Sequence, residues 1–280
     1  MSTAYIFPGQ GSQKKGMGAE LFEKFSGLVK AADEILGYSI AELCLEDPRE
    51  ELNKTQFTQP ALYVVNALTY LDKMDSGETR PSVLAGHSLG EYDALFAAGV
   101  FDFETGLKLV QKRGEIMSKV EGGGMAAVLG MGADQIAAVL ADSGIQGVDV
   151  ANFNSPAQTV LSGMKEDIVA AEPAFKEAGA KRYVVLPVSG AFHSRYMEGP
   201  REEFRAFAEQ FTFSKALIPV ISNFEAAEYD NARILDLLCS QIAGSVRWVE
   251  SVQLMKEMGV EEFVECGPGR VLAGLIRQIG

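Results

Sequence analysis

Two histidines, three cysteines and one tryptophan are all that 280 residues contain of these types. Cys44, Cys239 and Cys266 lie far apart and show no metal-ligand spacing, which argues against a disulfide framework and a thiolate metal site and suits a reducing cytoplasm. No apolar run is long enough to cross a bilayer, so no membrane partner is expected. Positive charge is also short, with 25 Lys and Arg against 38 Asp and Glu. The net charge of -13 argues against nucleic acid as a partner. Linkers, repeats and low-complexity tracts are missing. The first apolar strand, Ala4 to Phe7, starts almost at Met1 and meets Pro8 and Gly9 at once, so no signal peptide is expected. What remains is a chain of 47% apolar residues with evenly spread charge, the composition of a soluble globular protein. Its length suits one large core, or a core with an inserted subdomain.

Within that background one stretch carries chemistry. Gly86-His87-Ser88-Leu89-Gly90 puts a serine in the G-x-S-x-G frame of a nucleophile elbow. Ser82 to Ala85 reads as the end of a buried strand, and Glu91 to Ala98 as the first turns of a helix. A serine on such a turn has its hydroxyl forced into the open, with helix N-terminal amides below it to stabilise an oxyanion. A plain tight turn is the alternative, and the strand and helix on either side weigh against it.

A serine hydroxyl needs a base at neutral pH, and histidine suits the task best. His87 precedes Ser88 on the elbow and should point to another side of the turn, which leaves His193 in the loop Ser189 to Ser194. A purely structural, loop-bonding His193 is the competing reading. No acidic residue announces itself as the group that orients the imidazole, so a dyad oriented by a backbone carbonyl is as acceptable as a triad.

Arg113 is the next residue that composition leaves unexplained. In the helix Gly106 to Ser118, Leu109, Val110, Ile116 and Met117 form one apolar stripe, and Arg113 sits in its middle. A buried guanidinium is costly unless paired. It therefore awaits a carboxylate, from the protein as a structural ion pair or from a substrate held through its planar fork. The helix follows directly after the elbow helix and should line the same cleft, which favours the substrate.

The order of elements divides the chain. Residues 1–121 read as strand, several helices, buried strand, elbow and two helices, an α/β layer pattern. Gly122-Gly123-Gly124 then punctuates the chain. After it come strand 125–129, helix 134–142, strands 148–152 and 159–162, helix 165–178 and strand 183–188. This β-α-β-β-α-β order is the ferredoxin-like pattern, with Pro173 expected to kink the second helix or move its start. From about 190 the chain returns to helices and to strands at 218–222 and 262–265, which most simply rejoin the first sheet. Ser88 and His193 should then face each other across the seam, where a ligand cleft is expected.

Together, Phe7-Pro8-Gly9-Gln10-Gly11-Ser12-Gln13, Thr58-Gln59-Pro60-Ala61-Leu62, Gly86-His87-Ser88-Leu89-Gly90-Glu91-Tyr92, Arg113-Gly114, Ala191-Phe192-His193-Ser194 and Gly267-Pro268-Gly269 resemble malonyl-CoA:acyl carrier protein transacylases. The motifs occur in family order over nearly the full length. The resemblance implies an α/β-hydrolase-like catalytic domain, residues 1–121 and 190–280, with an inserted ferredoxin-like small domain, residues 122–189. It makes Ser88 the acylated nucleophile and His193 its base, with the backbone amides of Gln10 and Leu89 as the oxyanion hole. Arg113 would hold the malonyl carboxylate, with His87 and Phe192 beside the substrate. Gln241 resembles the family residue whose backbone carbonyl orients the histidine, although the Asn-Pro that often follows nearby is here Gly244-Ser245. The implied reaction is ping-pong, from malonyl-CoA to Ser88 and then to the phosphopantetheine thiol of a holo acyl carrier protein. No metal or bound cofactor is expected, and the chain is expected to act as a monomer.

Phe192 resembles the family pattern for malonyl over methylmalonyl units, a ring closing the space beside the acyl C2. Residues 91–102 and 189–196 resemble discrete, trans-acting acyltransferases of modular polyketide synthases more than housekeeping fatty-acid enzymes, although Asp93 fits that subgroup only loosely. Two rivals share the frame. An acyl hydrolase clearing stalled carriers would keep Ser88 and His193 but has little use for Arg113. A non-catalytic docking module would not need Gln10, Ser88, Arg113 and His193 together.

Overall fold

In the computed structural model, which describes residues 2–280, the strands fall into two sheets. The larger is built from β1 (Ser2–Phe7), β2 (Val83–Gly86), β7 (Val220–Ile221) and β8 (Val260–Glu265), all parallel, in the order β7-β2-β1-β8. Parallel sheets need both faces covered, and the alternation along β1 supplies them. Tyr5 and Phe7 join the core made with the long helix α4 (Thr55–Asp75), α5 (Gly90–Ala97) and α6 (Phe103–Ser118). Ala4 and Ile6 face a second core that contains Trp248, Val252 and Met255 of α11 (Trp248–Glu257) and Leu272 and Leu275 of α12 (Val271–Ile279). Three helices, α1 (Ala19–Lys24), α2 (Ser26–Leu36) and α3 (Ile40–Leu45), lead from β1 to α4, and α9 (Glu198–Ala208) and α10 (Ile234–Ala243) precede α11 in the chain.

The smaller sheet is antiparallel, in the order β4-β5-β3-β6, from β3 (Gly123–Leu129), β4 (Val148–Ser155), β5 (Gln158–Met164) and β6 (Arg182–Val185). Helices α7 (Ala133–Asp142) and α8 (Lys165–Glu177) cover one face, where Ala126, Val128 and Leu161 pack with Ile136, Ile168 and Phe175. The strand period of two turns Met125, Ala127 and Val160 the other way, into the core shared with the large sheet. A short parallel bridge ties the small sheet to the segment just before α11: Val246 N–H donates to Ala151 O at 2.8 Å, and Phe153 N–H to Val246 O at 2.9 Å.

The expected element order stands, with local corrections. Only Gly122 is a turn glycine, φ +75°, whereas Gly123 and Gly124 already belong to β3. Helix α8 begins at Lys165 and runs through Pro173, so the proline does not move its start. The strand expected over 183–188 stops at Val185, because Pro187 has no N–H to continue the ladder. The strand expected over 218–222 is only Val220–Ile221, although both late strands do rejoin the large sheet.

Candidate active site

Ser88 stands between the end of β2 and the start of α5 with φ +53°, a left-handed conformation that a serine adopts only under constraint. The glycines on either side are required by contact. A Cβ on Gly86 would lie 1.8 Å from Gly90 C, and one on Gly90 would lie 2.0 Å from Phe7 O. Gly9 serves the neighbouring loop in the same way, since its Cβ would meet His87 O at 2.4 Å. The Pro8–Gln10 loop thus lies flat against the elbow, and Gln10 and Leu89 line one cavity with Ser88.

His193 reaches this point from the loop after β6, itself at φ +54°. Its Nε2 lies 2.7 Å from Ser88 Oγ. On the other side of the ring Nδ1 lies 2.9 Å from Gln241 O and 3.1 Å from Gly244 O, and no carboxylate takes part. Both partners are acceptors, so Nδ1 carries the hydrogen and Nε2 is free to accept one. Gly244, where the Asn-Pro pattern is broken, supplies its own carbonyl. Burial, then the charge of Arg113, pulls His193 down from its ordinary value to about 3, so the ring is neutral at physiological pH.

Arg113 is 1% exposed on α6, and among the described residues no carboxylate lies within ion-pair distance of it. Its Nη1 donates to Gln59 Oε1 at 2.7 Å, and its Nη2 to Gln241 Oε1 at 2.9 Å and to Ser88 Oγ at 3.1 Å. The guanidinium carbon sits 5.6 Å from the centre of the Tyr92 ring. Neutral amides and a π face hold the cation in place, and no carboxylate is bonded to it. The structural ion pair entertained as an alternative is therefore replaced by polar neutral contacts.

Several contributors carry no motif of their own. Asn223, fully buried in the loop after β7, accepts the Ser88 N–H at 2.7 Å and donates to Gly86 O at 2.6 Å, spanning the elbow. Its own N–H donates to Glu91 Oε2 at 2.6 Å, and the Tyr229 hydroxyl donates to Glu91 Oε1. Burial raises the Glu91 carboxyl to about 7 against these two donors. The Gln241 side chain adds a bond from Nε2 to Ser88 O at 2.6 Å, so this residue touches nucleophile, base and arginine together. His87 lines the cavity with Nε2 2.7 Å from Asn154 Oδ1 and its ring packed T-shaped against Trp248. Phe192, 7% exposed, closes the wall beside His193.

The cavity measures about 260 Å³ and is lined on the small-sheet side by Met125, Ala127 and Val160. Pockets that enclose a whole drug-sized ligand are about 300–1,000 Å³, so this one suits an acyl group and the end of its carrier arm. A neutral imidazole bonded to a strained serine, with a buried guanidinium within hydrogen-bond reach of that serine, is an arrangement that can transfer an acyl group bearing an anion.

The chain is similar to known proteins over nearly its whole length. Residues 4–278 match the acyl transferase domain. The chain is 55% identical over 277 residues to the polyketide biosynthesis malonyl CoA-acyl carrier protein transacylase PksC of Bacillus subtilis, covering 98% of this chain and 96% of that protein. Among solved structures, malonyl CoA-acyl carrier protein transacylase from Burkholderia pseudomallei superimposes with a TM-score of 0.95 at 50% identity, covering 100% of this chain and 98% of that one. A malonyl-transacylase solved in complex with its type II polyketide synthase acyl-carrier protein gives a TM-score of 0.95 at 38% identity, covering 100% of this chain and 93% of that one. The chain belongs to the malonyl-CoA:acyl carrier protein transacylases of the acyl transferase family.

Proposed function

We propose that this enzyme moves a malonyl group from malonyl-CoA to the phosphopantetheine thiol of a holo acyl carrier protein, in trans for a polyketide synthase. The observation that carries the reading is the position of Ser88 Oγ, 2.7 Å from a neutral imidazole nitrogen and 3.1 Å from a buried guanidinium without a counter-ion. His193 Nε2 takes the Ser88 proton as Oγ attacks the thioester carbonyl, and the oxyanion is met by the amides of Leu89 and Gln10. The intermediate collapses to malonyl-Ser88, and the CoA sulfur leaves with the proton from His193. In the second half His193 takes the proton of the carrier thiol, the sulfur attacks the ester, and Ser88 recovers the proton. Arg113 holds the distal carboxylate through its planar fork, and Gln241 O with Gly244 O stabilises the imidazolium that forms transiently. The polyketide assignment is supported by the similarity to the Bacillus subtilis protein.

The same reading takes residues 1–121 and 190–280 as an α/β-hydrolase-like catalytic domain and residues 122–189 as a ferredoxin-like insertion. The antiparallel order β4-β5-β3-β6 with both helices on one face supports the insertion. The four-stranded parallel sheet with a strand-serine-helix elbow supports the larger unit.

Intact-protein mass spectrometry after brief incubation with malonyl-, methylmalonyl- and acetyl-CoA, followed by a holo carrier protein, tests the function. A malonyl adduct on Ser88 that passes to the carrier is expected. Loss of an acetyl adduct to water, with no malonyl adduct formed, would make the enzyme a hydrolase.

A further inference from the structure

Two carboxyl groups lie buried on α5, and their surroundings differ. Glu91 receives a hydrogen bond on each oxygen, from Asn223 N–H and from the Tyr229 hydroxyl. Asp93, fully buried, receives one on Oδ2, from Asn66 Nδ2 at 2.9 Å, while its Oδ1 has no partner. Asn66 Nδ2 spends its second hydrogen on Pro8 O at 2.9 Å, and that carbonyl fixes which end of the amide is nitrogen. Asn66 Oδ1 is then left as an acceptor with no donor. The unpartnered atoms are thus the two remaining oxygens of one hydrogen-bonded pair. An unpaired buried acceptor is destabilising, and one proton shared between the two oxygens would satisfy both.

We propose that Asp93 is a neutral carboxylic acid whose Oδ1–H donates to Asn66 Oδ1, closing a two-bond ring that positions the Pro8–Gln10 loop beside Ser88. The surroundings agree. The groups that face Asp93 are Tyr63 on α4 and Cys266 after β8, neither of them a cation. Burial raises the Asp93 carboxyl well above its ordinary range, against the single Asn66 bond. Space is closed on the far side too, since a Cβ on Gly267 would lie 2.2 Å from Asn66 Oδ1. The path to the chemistry is short. Asn66 grips Pro8 O, His87 N–H grips Phe7 O at 2.9 Å, and Gln10 is the next cavity-lining residue after Gly9. Asp93 and Asn66 are positioning residues that act through the loop, and this role rests on the reading of Gln10 as an oxyanion donor.

Side-chain ¹³C NMR of Asp-labelled full-length protein, with Asp93 assigned by its loss in Asp93→Asn, reads the protonation state directly. A neutral-acid resonance at pH 7 is expected, and an ionised one would overturn the proposal. Asp93→Asn replaces O–H with an N–H that makes the same ring, so it rescues kcat to within about twofold of wild type. Asp93→Ala opens the ring and is expected to lower kcat about tenfold or more with KM for malonyl-CoA unchanged, as misplacement of a catalytic group does. A neutral Asp93 combined with full kcat in Asp93→Ala would overturn the positioning role. Should Asp93→Ala fail to fold, the wild-type resonance and the Asp93→Asn kinetics still decide. Failure of the underlying reading would register separately, as absence of a malonyl adduct on wild-type Ser88.

Discussion

Arg113 Nη2 donates to Ser88 Oγ at 3.1 Å, so the cation proposed to hold the substrate and the proposed nucleophile already share a hydrogen bond. The same Nη2 donates to Gln241 Oε1 at 2.9 Å, and Nη1 donates to Gln59 Oε1. A carboxylate entering this site meets a guanidinium held in position, with little left to organise. Charge-assisted, bidentate hydrogen bonds are the strong ones. An acyl group without a distal carboxylate leaves that cation buried without its anion.

Arg113→Ala is therefore expected to slow malonylation of Ser88 by about a hundredfold or more, the loss of two charge-assisted bonds. Acetylation should fall far less. Arg113→Lys should not restore malonyl transfer, because an ammonium cannot make the planar pair of bonds. Single-turnover adduct formation, followed by mass spectrometry, measures all three, and equal losses for malonyl and acetyl would contradict the assignment.

The pH profile follows from His193. A base whose free-enzyme value lies near 3 stays neutral through the mildly acidic range. kcat/KM for malonyl-CoA should accordingly be flat from pH 7 down to about 5, where an unperturbed histidine near 6.5 would already be protonated. The Arg113 charge is the second cause of the depression. Its removal in Arg113→Met should move the acid limb upward, as read from residual acylation rates.

Stability carries the opposite signature from two groups. His193 is lowered in the fold, so the unfolded chain binds more protons between about 3 and 6.5, and this contribution is lost as pH falls through that window. Glu91 is raised to about 7 from 4.5, so its contribution is lost as pH rises through that window. His193→Gln should therefore flatten the loss of stability below pH 6, and Glu91→Gln the loss towards pH 7, in denaturant titrations.

Asn223→Ala would leave the Ser88 N–H and Gly86 O without their shared partner. A loss of about 2–4 kcal/mol of stability is expected from the two unsatisfied buried groups, together with a fall in kcat that exceeds any change in KM. Urea unfolding and steady-state kinetics on the same variant check the pair of effects.

Phe192 closes the cavity wall next to the base. Phe192→Ala should raise methylmalonyl transfer relative to malonyl by roughly 10- to 200-fold, the range that one methyl group commands in a closed apolar pocket. Competition between the two CoA esters at equal concentration reads this ratio, and an unchanged ratio would remove Phe192 from the specificity argument.

The elbow and its nucleophile were legible because a strand, a serine between close-packed glycines and a helix are local features. Arg113 was legible because a charge within an apolar helical stripe is a local contradiction. Asn223, Gln59 and the side chain of Gln241 were not. A single buried amide has no periodicity, and its meaning depends on what lies 135 or 54 or 128 residues away in the chain. Strand ends were misjudged for a related reason: Val188 is apolar like its neighbours, yet Pro187 ends the ladder and turns it into the cavity.

By itself, then, the amino-acid order determined the succession of strands and helices, including the β-α-β-β-α-β run, the candidate nucleophile and the anomaly at Arg113, because each is written in spacings of a few residues. Tertiary structure alone decided that the imidazole is oriented by the carbonyls of Gln241 and Gly244, and that Arg113 rests on neutral amides with no carboxylate bonded to it. It also left one oxygen of Asp93 facing no donor. Hydrogen-bond partners and desolvation are set by which distant segments meet, and that is a property of the packed chain.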